Sequence, residues 1–191
     1  MDKPEKILAT ALRLFVTNGF HGTPTSKIAS EAGVSNGTLF HYFKTKDELV
    51  VALYTTIKGE LNQFLESQIN TASTSKEKFR RFFVGSVEWA LNNGDAFYFI
   101  QQFRFSPHLN LVSEEETRQQ SEMHTQLLQE AQSLNGLKPL PVDLIATLTA
   151  SQINGVHQYL VEKAVGPDEQ RKLIDDVFEL TWATVANPEI R

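Results

Sequence analysis

Apolar residues recur at helical spacing along almost the whole chain, and strict alternation never lasts long enough to make a strand. Ile7, Leu8, Ala11, Leu12 and Phe15 mark one face of a helix from about Lys3 to Asn18, with Pro4 tolerated in its first turn and Gly19 as its stop. Ile28, Ala29 and Ala32 mark a short second helix, and Leu39 with Phe43 a third from Asn36 to Phe43. Leu49, Leu53, Ile57, Leu61, Phe64 and Leu65 run down a much longer fourth helix, Lys46 to about Asn70. After the polar connector Thr71 to Ser75, a fifth helix is marked by Phe79, Phe82, Phe83, Val87 and Leu91, and Asn92-Asn93-Gly94 ends it. Asp95 to Phe105 reads as an aromatic helix with no clean polar face, hence buried nearly all round or lining a cavity, and Ser106-Pro107 breaks it. Ser113 and Glu116 form a capping box for a polar helix to about Leu134, anchored by Met123, Leu127, Leu128 and Leu134. Two last helices follow, Val142 to Lys163 and Asp168 to Ala186. The pattern predicts an all-α fold of about nine helices.

The stretch Thr25 to Glu48 carries the densest punctuation. Thr25 is placed to cap the second helix, Gly33 to end it in the left-handed conformation, and Ser35 to cap the third. Thr45 and Glu48 form a capping box opening the fourth helix. A helix, a glycine turn and a short exposed helix make a helix-turn-helix, whose second helix enters a major groove of DNA. With Leu39 and Phe43 turned to the core, Gly37, Thr38 and His41 face outward, and Asn36, Phe40 and Tyr42 flank them. Asn36, Thr38 and His41 are candidates for base edges, and Gly37 for close backbone approach. Tyr42, Lys44 and Lys46 are placed for phosphates, with Thr25, Ser35 and Phe40 completing the candidate DNA-binding set.

The run AGVSNGTLFHYFKTKDEL, with NGFHGTPTSKIA upstream of it, resembles the signature of the TetR (tetracycline-repressor-like) family of bacterial transcriptional regulators. The resemblance covers roughly the first fifty residues and departs from the family pattern at Phe40, where tyrosine is common, and at Pro24, where threonine is common. It implies a homodimer on double-stranded operator DNA. It also implies a second domain that binds a small molecule among helices four to seven and loosens the DNA contact.

Composition changes the picture in two places. The net charge is −5, but residues 1–50 hold six Lys+Arg against five Asp+Glu, and the rest twelve against eighteen. The acidic excess therefore lies away from the recognition helix, yet its own surroundings are only weakly basic, so affinity must rest on a dimer with well-placed phosphate contacts. Cysteine is absent, no apolar run approaches the 18 residues of a membrane span, and no signal-like N-terminus precedes the first helix, which together suggest a cytoplasmic protein without membrane contact. No zinc-ligand spacing, P-loop, dinucleotide fingerprint or nucleophile elbow occurs, so no catalytic residue, metal or cofactor is expected.

Between Phe79 and Phe105 the chain carries five further phenylalanines together with Trp89 and Tyr98. Pockets are mostly apolar with a few polar groups. The candidate ligand residues are accordingly Phe64, Phe83, Trp89, Phe97, Tyr98, Phe103 and Phe105, with Gln101, Gln102, His124, Gln152 and His157 as polar partners. The ligand expected is apolar or amphipathic; plain core is the alternative for each aromatic. The last two helices carry more apolar surface than one side of packing needs, with small residues Ala150, Ser151 and Gly155. Val142 to Lys163 and Asp168 to Ala186 are therefore expected to form a dimer interface as a four-helix bundle, with core within the single chain as the alternative. The organisation expected is a three-helix DNA-binding domain, residues 1–48, followed by a helical ligand-sensing and dimerisation domain, residues 49–191. A regulator without a small ligand, or an activator, would show the same helix-turn-helix.

Overall fold

The computed structural model describes residues 2–188. Among them it shows nine α-helices: α1 Lys3–Asn18, α2 Thr25–Glu31, α3 Asn36–Tyr42, α4 Lys46–Ile69, α5 Ser75–Asn92, α6 Gly94–Arg104, α7 Glu114–Ser133, α8 Val142–Lys163 and α9 Pro167–Val185. A 3₁₀ helix, Pro107–Leu111, follows α6 and was not evident from the sequence. The only β pairing among the described residues is an isolated antiparallel bridge between Leu137 and Ala186. The chain forms two compact units, Met1–Glu60 with Asn93–Thr117, and Leu61–Asn92 with Arg118–Arg191.

In the first unit, α1 starts at a reciprocal capping box: Glu5 N–H donates to Asp2 at 2.9 Å, and Asp2 N–H donates to the Glu5 carboxylate at 2.8 Å. Ile7, Ala11, Leu14 and Phe15 are buried. Leu14 takes the place expected for Leu12, which is half-buried, because the inward stripe is centred a little further round the helix. Gly19 (φ +70°) turns the chain out of α1. Thr23 is fully buried, its hydroxyl lying 2.9 Å from the Gly19 carbonyl and 3.1 Å from that of Leu14, so it ties the end of α1 to the entry of α2. Thr25 does not cap α2. Pro24 occupies the cap position without a side-chain hydrogen bond, and its carbonyl instead accepts the Lys27 and Ile28 N–H groups.

Gly33 (φ +69°) makes the turn into α3, and Leu39 and Phe43 point inward as expected. α6 packs against α1, with Phe99 meeting Phe15 at 6.2 Å, and its Ala96, Phe97, Phe99, Ile100 and Phe103 are buried. It is not buried all round: Tyr98 is 51% and Phe105 89% exposed, because only one side of this helix meets the unit's core.

In the second unit, α5 packs on both α8 and α9. Phe79 and Phe83 approach Phe178 at 6.4 and 6.0 Å between ring centroids. A Cβ added at Gly85 would meet Leu65 at 3.1 Å, so this glycine permits close approach of α5 to the end of α4. The capping box at α7 forms as read, with Glu116 N–H donating to the Ser113 hydroxyl at 3.2 Å and Ser113 N–H donating to the Glu116 carboxylate at 3.0 Å. Leu134 is exposed rather than an anchor, since α7 ends before it.

Thr23→Val is nearly isosteric but takes the shared hydroxyl from the Leu14 carbonyl, which keeps Asn18 Nδ2, and from the part-buried Gly19 carbonyl. It should lower unfolding stability by about 1–3 kcal/mol in chemical denaturation. Arg13→Ala, which removes the largely exposed ion pair to Glu31, should change stability by less than about 1 kcal/mol.

Candidate functional site

The recognition helix is held at both ends by its own sequence. Thr38 N–H donates to the Ser35 hydroxyl at 3.0 Å, and the two hydroxyls lie 2.9 Å apart, an N-cap worth about 1 kcal/mol. Thr38 is thus half-buried and partly engaged within the helix, less outward than its sequence position implied. At the other end Lys44 Nζ donates to the His41 carbonyl at 3.1 Å, a cation on the negative end of the helix. The next helix opens as Glu48 N–H donates to the Thr45 hydroxyl at 3.0 Å and Lys44 N–H donates to the Glu48 carboxylate at 2.8 Å.

Anchored so, α3 presents Asn36, Gly37, Phe40, His41 and Tyr42 to the outside. Phe40 and Tyr42 are 42% and 40% exposed, and the His41 and Tyr42 rings meet edge-on at 5.3 Å. A Cβ built on Gly37 would meet only Ser35 Oγ, at 3.8 Å, so nothing inside the protein requires glycine there. Lys44 is exposed and Lys46 half-buried, while Thr25 is half-buried at the first turn of α2. The outer face therefore offers mixed donors, acceptors and aromatic edges with little net charge, a surface suited to a DNA groove.

A row of rings joins this region to α6. Phe15 and Phe20 each meet Phe99, at 6.2 and 5.6 Å, and Phe20 meets His108 of the 3₁₀ helix at 5.0 Å. His108 also lies 6.4 Å from Phe103, which stacks flat on Tyr54 of α4 at 3.9 Å and 6°. The buried His108 ring places Nε2 3.2 Å from an Asp47 carboxylate oxygen in the first turn of α4. No local pattern singles out His108.

Residues 7–53 match the family described as bacterial regulatory proteins of the tetR family, and residues 54–187 match the tetracyclin repressor-like C-terminal domain. The chain belongs to the TetR family. This TetR family member is accordingly a DNA-binding transcriptional regulator and not an enzyme, with the helix-turn-helix as its DNA-binding element. A tetR family transcription regulator from Shewanella sp. PV-4 shares 29% of its residues and superposes with a TM-score of 0.89, over 98% of this chain and 100% of that one. The fatty acid metabolism regulator protein of Bacillus subtilis (strain 168) is 34% identical over 90 residues, 47% of this chain and 45% of that relative, so the match spans less than half of its length. The FadR of Bacillus subtilis, solved in complex with stearoyl-CoA, shares the fold with a TM-score of 0.75 at 23% identity, over 93% of this chain and 96% of that one.

The candidate ligand residues of this TetR family protein divide between the two compact units. Phe97, Tyr98, Gln101, Gln102, Phe103 and Phe105 lie in the first, and Phe64, Phe83, Trp89, His124, Gln152 and His157 in the second. Within the second, Phe83 is fully buried against Phe178, and His124 stacks on Phe82 at 4.0 Å. Burial lowers the pKa of His157, partly opposed by its hydrogen bond to the Ala90 backbone. Gln152 is exposed on the same face of α8 as Leu148 and Gly155. Within the first, Gln102 Oε1 is buried without a hydrogen-bond partner among the described residues.

Sequence reasoning passed over Lys58. By surface area it is half-buried, yet enough protein surrounds its ammonium that burial, and then the positive charge of Arg104, lower its pKa to about 8. Tyr54, one helical turn earlier, has its phenol pKa raised by burial and partly restored by Arg104. The spacing Tyr54-x-x-x-Lys58 on one face of α4 was the available signal.

Because Lys58 is lowered from 10.5 to about 8, the unfolded chain binds more protons than the native one between those values, and stability should rise with pH across that window. Relative to Lys58→Met, the wild type should gain about 1–2 kcal/mol between about pH 7.5 and about pH 9.5 in urea denaturation. Gly37→Ala should leave stability unchanged or raise it by up to about 1 kcal/mol. The same variant should weaken operator binding in a fluorescence anisotropy titration.

Proposed function

We propose that the protein is a homodimeric transcriptional repressor that leaves its operator when a small apolar or amphipathic molecule binds. Residues 1–48 serve as its DNA-binding domain and residues 49–191 as its sensing and dimerisation domain, in the cytoplasm where the DNA is. The observation that carries the DNA-binding assignment is the capped helix α3, whose core side is sealed by Leu39 and Phe43 and whose outer side carries Asn36, Gly37, His41 and Tyr42. His41 and Asn36 read base edges, while Tyr42, Lys44 and Lys46 hold phosphates and set the register.

Dimerisation through α8 and α9 is supported by apolar side chains left uncovered in the single chain. Leu144, Leu148 and Tyr159 are 43%, 37% and 50% exposed on α8, and Leu180 is 69% exposed on α9. Leu144, Leu148, Gly155 and Tyr159 share one face of α8, and no atom lies within 4 Å of a Cβ built on Gly155, so a partner helix has room to approach. Two recognition helices would then sit about 34–36 Å apart, one turn of B-DNA. Repression is supported by the tetracyclin repressor-like match over residues 54–187, and an apolar or amphipathic ligand by the aromatic content of α5 and α6 and by the stearoyl-CoA bound to the Bacillus subtilis FadR.

His41→Ala should weaken operator binding by about 1–3 kcal/mol and relax discrimination between operator and mutated operator. Retention of full discrimination would remove His41 from the reading face. Leu148→Glu combined with Leu180→Glu should shift the protein from dimer to monomer in analytical ultracentrifugation and lower operator affinity without melting the helices.

A further inference from the structure

Two cations flank the stacked pair Tyr54 and Phe103, whose rings lie 3.9 Å apart: Lys58 one turn after the first and Arg104 next to the second. Lys58 of α4 and Arg104 at the end of α6 belong to the compact unit that carries the recognition helix. Neither has a hydrogen bond or ion pair among the described residues, and the charge that acts on Lys58 is another positive one rather than a carboxylate. Their neighbours are apolar: Tyr54 precedes Lys58 by one turn and is covered by Phe103, the residue before Arg104. Phe105, the residue after Arg104, is 89% exposed. A partly desolvated ammonium next to a guanidinium is costly when nothing compensates it, and both groups prefer oxyanions as partners.

We propose that Lys58 and Arg104 form the receiving site for the oxyanion of an amphipathic ligand, whose apolar body lies against the aromatic side chains around them. The proposal rests on the ligand-responsive reading above and narrows it to anionic amphiphiles. Carboxylate and phosphate share the required chemistry. In the ligand-free protein the two cations repel across α4 and α6; an oxyanion bridges them and removes that repulsion. Since α4 begins at the recognition helix, occupancy of the site alters the helix from which DNA binding is held.

Lys58 stays largely protonated at neutral pH even with its lowered pKa, and so is charged when such a ligand arrives. Arg104 is exposed, which gives the head group an approach from solvent.

The test measures binding of dodecanoate, dodecanoyl-CoA and dodecan-1-ol to the full-length protein by calorimetry, with operator release followed in parallel. At least one charged probe should bind about tenfold or more tighter than the alcohol, the worth of one good charge interaction. Lys58→Met and Arg104→Met should each abolish that preference, and Arg104→Lys should keep part of it. Preference for dodecanoate identifies a carboxylate site; preference confined to dodecanoyl-CoA identifies a phosphate site. Ligand-free Lys58→Met should melt at or above the wild-type temperature, because an uncompensated charge has gone.

Equal affinity for alcohol and charged probes, no binding of any charged probe, or unchanged anion affinity in Arg104→Met overturns the site. Arg104 is exposed, so that variant should fold even where Lys58→Met does not. Operator release by the alcohol, with no effect of either substitution, removes the anion site and leaves the ligand-responsive reading standing. Charged probes that bind through Lys58 and Arg104 without releasing operator do the reverse.

Discussion

The packing of α6 against α1, with Phe103 stacked on Tyr54 of α4, is the constraint on which the DNA-binding half of the molecule depends. Phe15, Phe20, Phe99, His108, Phe103 and Tyr54 form an uninterrupted row of ring contacts, anchored at the start of α4 by the approach of His108 to Asp47. Individual aromatic pairs contribute only about 0.5–1.5 kcal/mol beyond their area. Together they make a short core that includes elements far apart in sequence, from Phe15 to His108. The three N-terminal helices alone hold few large buried side chains, so the rings of α6 complete their core. A helix that belongs by sequence to the second half of the molecule is thereby built into the first.

This arrangement explains how so weakly basic a DNA-binding unit can be specific. With six basic residues against five acidic ones in residues 1–50, long-range attraction to phosphate is slight. Orientation has to be supplied by structure instead. Ser35 fixes the start of α3, Lys44 its end, and Thr45 with Glu48 the first turn of α4, each through a local hydrogen bond. The helix is pre-formed before it meets DNA, so little ordering entropy is left to be lost on binding.

What could be read from the sequence follows the range of the interactions. The glycine at position 33, the cap at Ser35 and the box at Ser113 depend on neighbours within four residues and stand where the residue pattern placed them, while at Thr45 the Glu48 carboxylate reaches back one residue further, to Lys44 N–H. Thr25 failed as a cap because Pro24, one residue earlier, already holds the extended cap conformation. Leu134 failed as an anchor because α7 stops one residue short of it, and the aromatic segment is not buried all round because Tyr98 and Phe105 stand exposed. Periodicity gives a helix its faces but not the number of neighbours. The assembly of Lys58 with Arg104, and of His108 with Asp47, joins residues 46 and 61 positions apart, and no local pattern announces such pairs.

Two of the three crossings between the compact units fall inside helices, at Glu60 and Leu61 in α4 and at Thr117 and Arg118 in α7, and the third falls at Asn92 and Asn93, where α5 gives way to α6. Loops can absorb insertions, but a helix cannot: each added residue turns everything beyond it by about 100° and advances it about 1.5 Å. At those two crossings, joining the first unit to another protein is therefore a problem of phase rather than of linker length. A chimera spliced in α4 must keep the residue count from Lys46 to Ile69, and α6, which lies beyond the splice in sequence, has to travel with the unit it completes.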